Sequence, residues 1–519
     1  MKILGFYIGG HDSNYTIYDT DTNQIVYTKT ERVTGAKHHK CLFNDLPSDD
    51  IDVIVYSDGN RNHLGKLHPD KLHSMIPLDS SIGEMFLKKY PNLKEIFYVD
   101  HHFCHTLSVW PLHKTKDHDY GIVLDGRGDQ EDRVSVFSKP YDIVHDNGDH
   151  SKYITFKSGN LNAPAILRNI GRLMKLPGNG LDLPGKIMGA NAYGNVDHDY
   201  VNNFIESLEK IGFIEYFSND QNDFISVLAL DEFTPYNLDN KEFVEKLSTV
   251  HYLVGKIIVR LFEVLEIPKT ALITYSGGVA QNTVWNEMIQ KKYKNILIPP
   301  HCYDGGMSLG AIEFYRIKNN HVPIECPEFP YIQRDEIKDI PATDTIKQIA
   351  KYLADGKIVA WMQGKGEIGP RALGNRSILM NPAIPNGKDI INARVKHREY
   401  WRPFAPSILL EHAKEWFDFD KDELPYMLYA VQANKLHANK IPAVIHGDNT
   451  ARVQTVSENN KSFYELINEF YKLTDIPLLL NTSLNAGGSP IFAYKEQAVD
   501  FFNNVDIDVL CIGNEIYLK

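Results

Sequence analysis

The sequence contains one short stretch, HHFCH at 101–105, that is rich in possible metal ligands. If this stretch is helical, His101 and His105 lie one turn apart and present two imidazoles on one face, as the binding of a single ion requires. Asp125 ends an apolar, strand-like segment, and Asp304 precedes a glycine pair. Two histidines with two carboxylates suit a divalent transition ion such as iron, manganese or zinc. For HxxxH taken alone, a polar surface patch is the alternative.

A histidine and an aspartate, His11 and Asp12, directly follow the first apolar segment. One interpretation is a general base at the mouth of a sheet, where imidazole takes a proton from a hydroxyl. The other is a turn in which Asp12 bonds its own backbone. The local sequence leaves both open.

Three glycine-containing turns indicate phosphate binding. SGGVAQN at 276–282 and DGGMSLG at 304–310 each open a predicted helix, and DGRGD at 125–129 joins two predicted strands. Gly277 and Gly278 would let the backbone approach a ligand, and a helix N-terminus favours anions. Each turn alone is a weak signal, but together they favour nucleotide phosphate binding.

The C-terminal third carries cationic side chains at close spacing. VKHREYWRPFAPS, at 395–407, and the preceding glycine-rich loop contain Lys396, Arg398, Arg402, Arg371 and Arg376. In an acidic chain this spacing predicts a local anion pocket, with a solvated charged surface as the alternative. Further on, Ser483 and Asn485 offer a hydroxyl and an amide two residues apart, which alone favours a polar turn.

The elements that must position these groups alternate between strands and helices. Strand, Gly/Asp turn, strand occurs twice, at 3–18 and 120–137, and suggests an internal duplication. Four prolines between 323 and 341 predict a linker. We therefore expect two α/β domains, at 1–322 and 342–519, joined by a linker at 323–341.

Composition excludes several classes of protein. The chain has 519 residues and a net charge of −12, which argues against general nucleic-acid binding, since phosphate contacts need clustered Lys and Arg. Its apolar runs are too short to span a bilayer, and the N-terminus does not look like a signal peptide. Five scattered cysteines without a CxxC motif fit a reducing cytoplasm. We expect a cytoplasmic protein without a membrane partner.

Ten motifs, in order along almost the whole chain, resemble the NodU/CmcH family of O-carbamoyltransferases. They are GGHDS, ERVTGAKHH, HHFCH, LDGRGD, GKIMGANAYG, GGVAQN, PPHCYDGG, GPRALGNRSIL, VKHREYWRPFAP and LLNTSLNAGGSPI. The resemblance implies an actin-like (ASKHA) duplicated ATPase-type domain at 1–322, which carries out carbamoyl transfer. It also implies a YrdC-like α/β domain at 342–519, which forms carbamoyl-adenylate.

The resemblance also implies roles for individual residues. The metal ligands would be His101, His105, Asp125 and Asp304, with iron the favoured ion, and His11 would assist the acceptor hydroxyl. The KxR and SxN pairs, Lys396, Arg398, Ser483 and Asn485, would hold carbamoyl phosphate and ATP, and Lys37 would meet the nucleotide. The other expected substrate or nucleotide contacts are Asp12, Gly277, Gly278, Asn282, Arg371, Arg376 and Arg402.

The implied activity is that of an ATP-dependent carbamoyltransferase. Carbamoyl phosphate and Mg²⁺-ATP would give carbamoyl-adenylate, whose carbamoyl group passes to a hydroxyl of a sugar, cyclitol, natural product or hydroxymethylated nucleotide. A homodimer is favoured by base rate. A threonylcarbamoyl-type tRNA-modifying transferase has the same two folds, but the net charge argues against it. A sugar kinase or chaperone ATPase leaves the second domain unexplained, and a scaffold with degenerate sites leaves the charged motifs unexplained.

Overall fold

The structure is a computed structural model that describes residues 1–8, 10–40, 43–59, 71–109, 118–126, 128, 132–218 and 237–519. Parts of the predicted GGHDS and DGRGD motifs, at positions 9, 127 and 129, lie outside the described residues.

The first sheet is formed by the N-terminal hairpins and the strands that follow them. Its strands are β1 (Lys2–Ile8), β2 (Asn14–Asp19), β3 (Gln24–Lys29), β4 (Val53–Asp58), β5 (His73–Met75) and β6 (Glu95–Val99). Within the described residues their spatial order is β3-β2-β1-β4-β6-β5. β1 to β3 form an antiparallel meander, and β1, β4 and β6 are parallel.

The second sheet repeats this arrangement. Its strands are β7 (Tyr120–Leu124), β8 (Val134–Ser138), β9 (Ile154–Ser158), β10 (Ile273–Ser276) and β11 (Ile296–Leu297). The order is β11-β10-β7-β8-β9, again an antiparallel three-strand meander beside parallel strands. The shared topology confirms the predicted duplication and defines an actin-like pair of halves.

Helices flank and separate these two sheets. They are α1 (Thr30–Thr34), α2 (Ser81–Lys89), α3 (His101–Leu107), α4 (Pro140–His145), α5 (Ala163–Leu173), α6 (Leu183–Ala190), α7 (His198–Ile211), α8 (Phe213–Ser218), α9 (Lys241–Val264), α10 (Thr283–Gln290) and α11 (Met307–Lys318). α11 packs on β1 and β4, α3 packs on β7 and β10, and the two helices contact each other. A Cβ at Gly310 would lie 2.1 Å from the Cys104 carbonyl oxygen, so this close helix contact requires glycine.

The C-terminal part is a third α/β unit. Its strands are β12 (Glu336–Ile337), β13 (Val359–Met362), β14 (Gly364–Lys365), β15 (Arg376–Met380), β16 (Ala405–Leu409), β17 (Phe417–Asp418), β18 (Ala430–Ala433), β19 (Thr450–Arg452), β20 (Gln454–Val456), β21 (Leu478–Ser483), β22 (Val509–Ile512) and β23 (Glu515–Leu518). Its helices are α12 (Thr343–Ala354), α13 (Gly387–Ile391), α14 (Ala413–Trp416), α15 (Lys461–Thr474) and α16 (Lys495–Asn504). The main sheet is mixed, in the order β20-β16-β21-β15-β13-β22-β23, and the predicted fold class is confirmed.

The segment predicted as a linker, 323–341, is packed into the structure. Ile324 and Ile332 are buried, and the Arg334 backbone N–H donates to the Tyr27 carbonyl oxygen on β3 at 3.0 Å. The neighbouring Gln333 N–H donates to the Gly366 carbonyl oxygen. The segment therefore contacts both parts of the chain, and the exact domain boundaries remain a prediction.

Two further expectations concern membranes and thiols. Among the described residues, no helix is both long enough and apolar enough to cross a bilayer. Cys104, Cys302, Cys326 and Cys511 are free thiols.

Arg376, predicted as an anion ligand, lies instead in the interior of the C-terminal unit. Its guanidinium donates to Asp335 Oδ2 at 2.7 Å, to the Gln363 carbonyl oxygen at 2.5 Å and to the Gly364 carbonyl oxygen at 3.0 Å. The side chain is fully buried and is not among the residues that line the large cavity described below. The glycine-rich loop suggested an arginine that faces a ligand. The loop instead folds over Arg376, and the side chain is buried.

Removal of the Asp335 carboxylate should destabilise the fold strongly. Asp335→Asn removes the carboxylate that pairs directly with the buried Arg376 guanidinium, and we expect a loss of about 3–5 kcal/mol in the free energy of unfolding. Urea unfolding followed by circular dichroism measures the change, with Asp422→Asn as the exposed control. Equal midpoints for the two variants would contradict the prediction.

Candidate active site

Two buried imidazoles and two buried carboxylates converge between the two actin-like halves. His101 Nε2 is 3.1 Å from Asp125 Oδ2 and 3.6 Å from Asp304 Oδ1. His105 Nε2 is 3.4 Å and 3.3 Å from the same two oxygens. The structure thus brings together all four residues that were predicted as metal ligands.

The local structure of α3 explains the position of the histidines. Asp100 caps the helix, because its carboxylate accepts a hydrogen bond from the Phe103 N–H at 2.9 Å. The i, i+4 spacing then places His101 and His105 on the face toward the carboxylates, as predicted. His102 points away, with Nδ1 2.7 Å from Ser135 Oγ.

The glycine pair after β10 positions Asp125. The Gly278 N–H donates to Asp125 Oδ1 at 2.9 Å. Gly277 has a φ of 91°, and a Cβ there would lie 2.2 Å from the Leu124 carbonyl oxygen. Only glycine fits this turn. The turn contacts the carboxylate of Asp125, which follows the neighbouring parallel strand β7.

The four ligand atoms fit a divalent ion. Ligands about 2.0–2.2 Å from one ion are about 3.0–3.5 Å from each other. The four separations between a histidine nitrogen and an aspartate oxygen are 3.1–3.6 Å, and all four ligand atoms lie within 4.8 Å of one another. Burial opposes ionisation of Asp125, but hydrogen bonds from the two histidines hold its pKa well below the usual range. Tyr7 Oη donates to Asp304 Oδ2 at 2.9 Å and orients that carboxylate from outside the cluster.

His11 lies beside this cluster. Its Nδ1 is 2.8 Å from Asp12 Oδ2 and 3.7 Å from Asp304 Oδ2. Asp12 also pairs with the buried ammonium of Lys29 at 2.9 Å. In the tautomer with the proton on Nδ1, that N–H donates to Asp12 and Nε2 is available as a base. Asp12 also shapes a turn, since its φ is 63° and its carbonyl oxygen accepts from Asn14 Nδ2 at 2.8 Å.

Lys37 and His38 connect the His11 loop to the segment before α6. Lys37 pairs with Asp182, and His38 lies 3.5 Å from both Asp182 and Asp12. Burial lowers the pKa of His38, but its hydrogen bonds to Asp12 and Asp182 outweigh this and raise the pKa to about 9. Lys37 lines the cavity wall, and its ammonium is held by the Asp182 carboxylate.

A second site lies in the C-terminal unit, where Lys396, Ser483 and Asn485 form one network. Lys396 Nζ donates to the Ser483 carbonyl oxygen at 2.5 Å, the Asn485 carbonyl oxygen at 3.0 Å and Asn485 Oδ1 at 2.8 Å. Ser483 Oγ donates to Asn485 Oδ1 at 2.6 Å. The ammonium uses its three hydrogens within the protein, so it supplies positive charge to the site rather than a direct hydrogen bond.

Four guanidinium groups surround this network on the cavity wall: Arg371, Arg398, Arg402 and Arg452. Arg398 is fixed by a hydrogen bond to Asn392 Oδ1 at 2.8 Å and lies 4.5 Å above the Phe404 ring. Burial, and then the charges of the three other arginines, lower the pKa of Arg452 well below its usual range. Partly buried cations that repel one another bind an anion favourably, which supports the predicted anion pocket.

Asn282, predicted to contact the nucleotide, caps α10. Its Oδ1 accepts hydrogen bonds from the Val284 and Trp285 N–H groups, each at 3.2 Å, and its Nδ2 is 3.0 Å from His251 Nε2. The side-chain amide is thus engaged in the fold, although Asn282 borders the cavity.

Both sites open into one cavity of about 1620 Å³. His11 and Asp304 line it on one side, and Lys396, Arg398 and Asn485 line it on the other. The volume exceeds the roughly 300–1,000 Å³ of ordinary ligand pockets. Two ligands, or one ligand that moves between two sites, can therefore be enclosed in a common space.

Sequence reasoning missed several polar groups of the cavity. Tyr7 and Lys29 lie within β1 and β3, where a buried polar residue at a strand end was the available signal. Arg452 is the last residue of the short strand β19, and Asp182 precedes α6. None of these belongs to a motif with a distinctive spacing, so each was found only from the folded chain.

Comparison with known proteins places the chain in a family. Residues 62–312 match the family described as carbamoyltransferase N-terminus, and residues 350–519 match carbamoyltransferase C-terminus. Nodulation protein NolNO of Sinorhizobium fredii is 30% identical over 545 residues, with 96% of this chain and 78% of that protein covered. Nodulation protein U of Rhizobium tropici is 33% identical over 341 residues, with 60% and 58% covered.

Among solved structures, the activator of 2-hydroxyisocaproyl-CoA dehydratase from Clostridium difficile is 14% identical with a TM-score of 0.33, covering 62% of this chain and 97% of that chain. Full-length HypF is 13% identical with a TM-score of 0.32, covering 60% and 55%. Likenesses this distant add nothing to the topology already described.

The two matched family regions and the relative that covers 96% of this chain together define a transferase enzyme. The chain belongs to the NodU-type carbamoyltransferase family.

Loss of one imidazole should remove the metal. We expect His105→Gln to lower the bound divalent metal per chain by about tenfold or more. Loss of a ligand weakens metal binding more than loss of a group that only orients a ligand. Elemental analysis of purified protein measures this. His102→Gln on the same helix is the control and should keep its metal; a metal-replete His105→Gln protein would refute the assignment.

Anion binding at the second site should depend on the charge of Lys396. Burial, with Arg398 and Arg402, lowers the pKa of Lys396 well below its usual value of about 10.4. Because deprotonation removes a positive charge, the affinity for inorganic phosphate should fall as the pH rises through this lowered pKa. Calorimetry over a series of pH values below the usual lysine pKa, where an ordinary lysine would stay charged, measures the decline.

Lys396→Met should bind phosphate about tenfold more weakly at the lower pH and show a flatter profile. The exposed Lys351→Met is the matched control. An unchanged decline in the Lys396→Met protein would show that another group titrates.

Proposed function

We propose that this enzyme forms carbamoyl-adenylate from carbamoyl phosphate and ATP in the C-terminal unit and transfers the carbamoyl group to an alcohol at the actin-like site. The observation that carries the proposal is the single cavity, which joins a cationic pocket to a candidate metal site with an adjacent histidine base. The family match supports carbamoyl transfer, and the two sites support its division into two steps.

The cationic pocket suits the first step. Arg371, Arg398, Arg402 and Arg452 would bind the phosphates of carbamoyl phosphate and Mg²⁺-ATP, with Lys396 supplying a fixed charge. Hydrolysis of carbamoyl phosphate gives carbamate and phosphate. A carbamate oxygen then bonds to the α-phosphorus of ATP as the bond to pyrophosphate breaks, and carbamoyl-adenylate results.

The actin-like site suits the second step. His11 Nε2 would take the proton of the acceptor hydroxyl while the hydroxyl oxygen bonds to the carbamoyl carbon. The bond between that carbon and the AMP oxygen would then break, and AMP would leave. Asp12 would stabilise the imidazolium, and Lys29 would keep Asp12 ionised: burial raises the pKa of this carboxylate, but Lys29 and the neighbouring histidines outweigh burial.

A divalent ion held by His101, His105, Asp125 and Asp304 would act as a Lewis acid that stabilises negative charge near the leaving AMP. Iron is the ion that we propose for this site. Tyr7 and Gly278 would keep the two carboxylates oriented whichever ion is bound.

The decisive experiment separates the two steps. Incubation with carbamoyl phosphate and α-³²P-ATP, without acceptor, should give labelled carbamoyl-adenylate or AMP and an equal amount of pyrophosphate. Release of ADP without pyrophosphate would contradict the adenylate mechanism.

His101→Ala should keep pyrophosphate formation within about twofold of the wild type and lose at least about a hundredfold in transfer, because it alters the actin-like site only. Arg398→Ala should lose pyrophosphate formation itself, since its guanidinium lines the other site. If His101→Ala abolished both activities, the two steps would not be separate.

A further inference from the structure

Two arginines on α5 form a cationic pair that the proposed mechanism does not use. Arg168 and Arg172 are four residues apart and therefore share one helix face. Arg168 lines the cavity and Arg172 is exposed to solvent. Arg168 Nε is buried and, in the described part of the chain, has no hydrogen-bond partner.

The pair also lacks a counter-charge. Burial and then the charge of Arg172 lower the pKa of Arg168, and no described carboxylate is close enough to oppose this effect. In a chain with a net charge of −12, two adjacent guanidinium groups without carboxylates are positioned to bind an anion from outside the protein.

A chain of contacts connects this pair to the proposed base. Both arginine side chains approach Gly180. A Cβ built at this glycine would lie 3.2 Å from Arg168 Cδ and 3.7 Å from Arg172 Nη2. Asp182, two residues later, contacts His38, which lies 3.5 Å from the Asp12 carboxylate that holds His11. The arginine pair therefore belongs to the actin-like side, where Arg168 lines the cavity and where the proposed function places the acceptor hydroxyl.

The donor does not need these arginines. In the proposed function, carbamoyl phosphate and the ATP phosphates bind Arg371, Arg398, Arg402 and Arg452, which line the other pocket. A second anion-binding group on the actin-like part of the cavity wall instead matches a negative charge on the acceptor. A planar guanidinium forks to two phosphate oxygens, and two guanidiniums one turn apart can share the three oxygens of a phosphate monoester.

We propose that the acceptor alcohol carries a phosphate group, which Arg168 and Arg172 bind while His11 faces the hydroxyl. This substrate class rests on the proposed function. Sugar phosphates and nucleoside monophosphates both have this chemistry, and a binding experiment distinguishes them without requiring turnover.

The experiment compares matched ligand pairs on protein saturated with α,β-methylene-ATP, which occupies the other pocket. The pairs are glucose with glucose 6-phosphate and thymidine with thymidine 5′-monophosphate. In at least one pair, the phosphate ester should bind about tenfold more tightly than its parent, the advantage expected from charged hydrogen bonds. The pair that shows the advantage identifies the source of the phosphate.

The double variant Arg168→Ala/Arg172→Ala should reduce this advantage to about twofold or less, while Arg260→Ala, on α9 away from the cavity, should retain it. Arg168→Lys/Arg172→Lys should be intermediate, because charge remains without the planar fork. Equal binding of ester and parent in both pairs, or an advantage that survives the double alanine variant, would overturn the proposal.

Acceptor-free pyrophosphate formation from carbamoyl phosphate and ATP should be unchanged in the double alanine variant. A loss of that activity would assign the arginines to the donor and overturn the proposal. Absence of pyrophosphate formation in the wild-type protein would instead contradict the proposed function, and the binding results would still decide the phosphate site.

Discussion

The arrangement of two carboxylates against two imidazoles at a buried seam is the constraint on which the actin-like part depends. Like charges this close and this deeply buried are costly unless positive charge and hydrogen bonds compensate them. Asp125 follows a strand of the second sheet, and Asp304 precedes the helix α11 that packs on the first sheet. The four groups therefore meet only if both halves are folded and docked. The close contact of α3 with α11, which depends on Gly310, makes that docking possible.

The part of the cavity that the C-terminal unit lines is rich in cations. Lys396 and the four arginines lie there, whereas Asp12, Asp125 and Asp304 line the actin-like part together with Lys29, Lys37 and Arg168. An acidic protein thereby acquires a strongly cationic interior surface without becoming a general polyanion binder. Since the arginines repel one another when no anion is present, the pocket is preorganised to take up phosphate groups, and its specificity comes from fixed geometry rather than from net charge.

The sequence predicted the parts of the site whose spacing is imposed by regular structure. HxxxH on a helix and the repeated strand and turn pattern have the proximity that local geometry requires. The KxR and SxN pairs were named from the resemblance, and they meet through Lys396 Nζ and Asn485 Oδ1. It did not predict contacts made by residues far apart in the chain, such as Tyr7 with Asp304 or Lys29 with Asp12. Arg376 shows the converse: its type and loop context indicated an anion ligand, but long-range packing against Asp335 determined its position.

The shared cavity also constrains how an anionic intermediate can pass between the sites. In the proposed mechanism, carbamoyl-adenylate would be attracted to the arginines and, without further charge, repelled by the carboxylates of the actin-like site. A divalent ion at the four-residue cluster would reverse that repulsion, so the same ion that makes the buried carboxylates tolerable would make the second site attractive to the intermediate. The proposal thereby ties metal binding, the stability of the seam and transfer between sites to one electrostatic requirement. The enclosed path matters because carbamates decompose readily in water, and a dissociated intermediate would be lost before it met an acceptor.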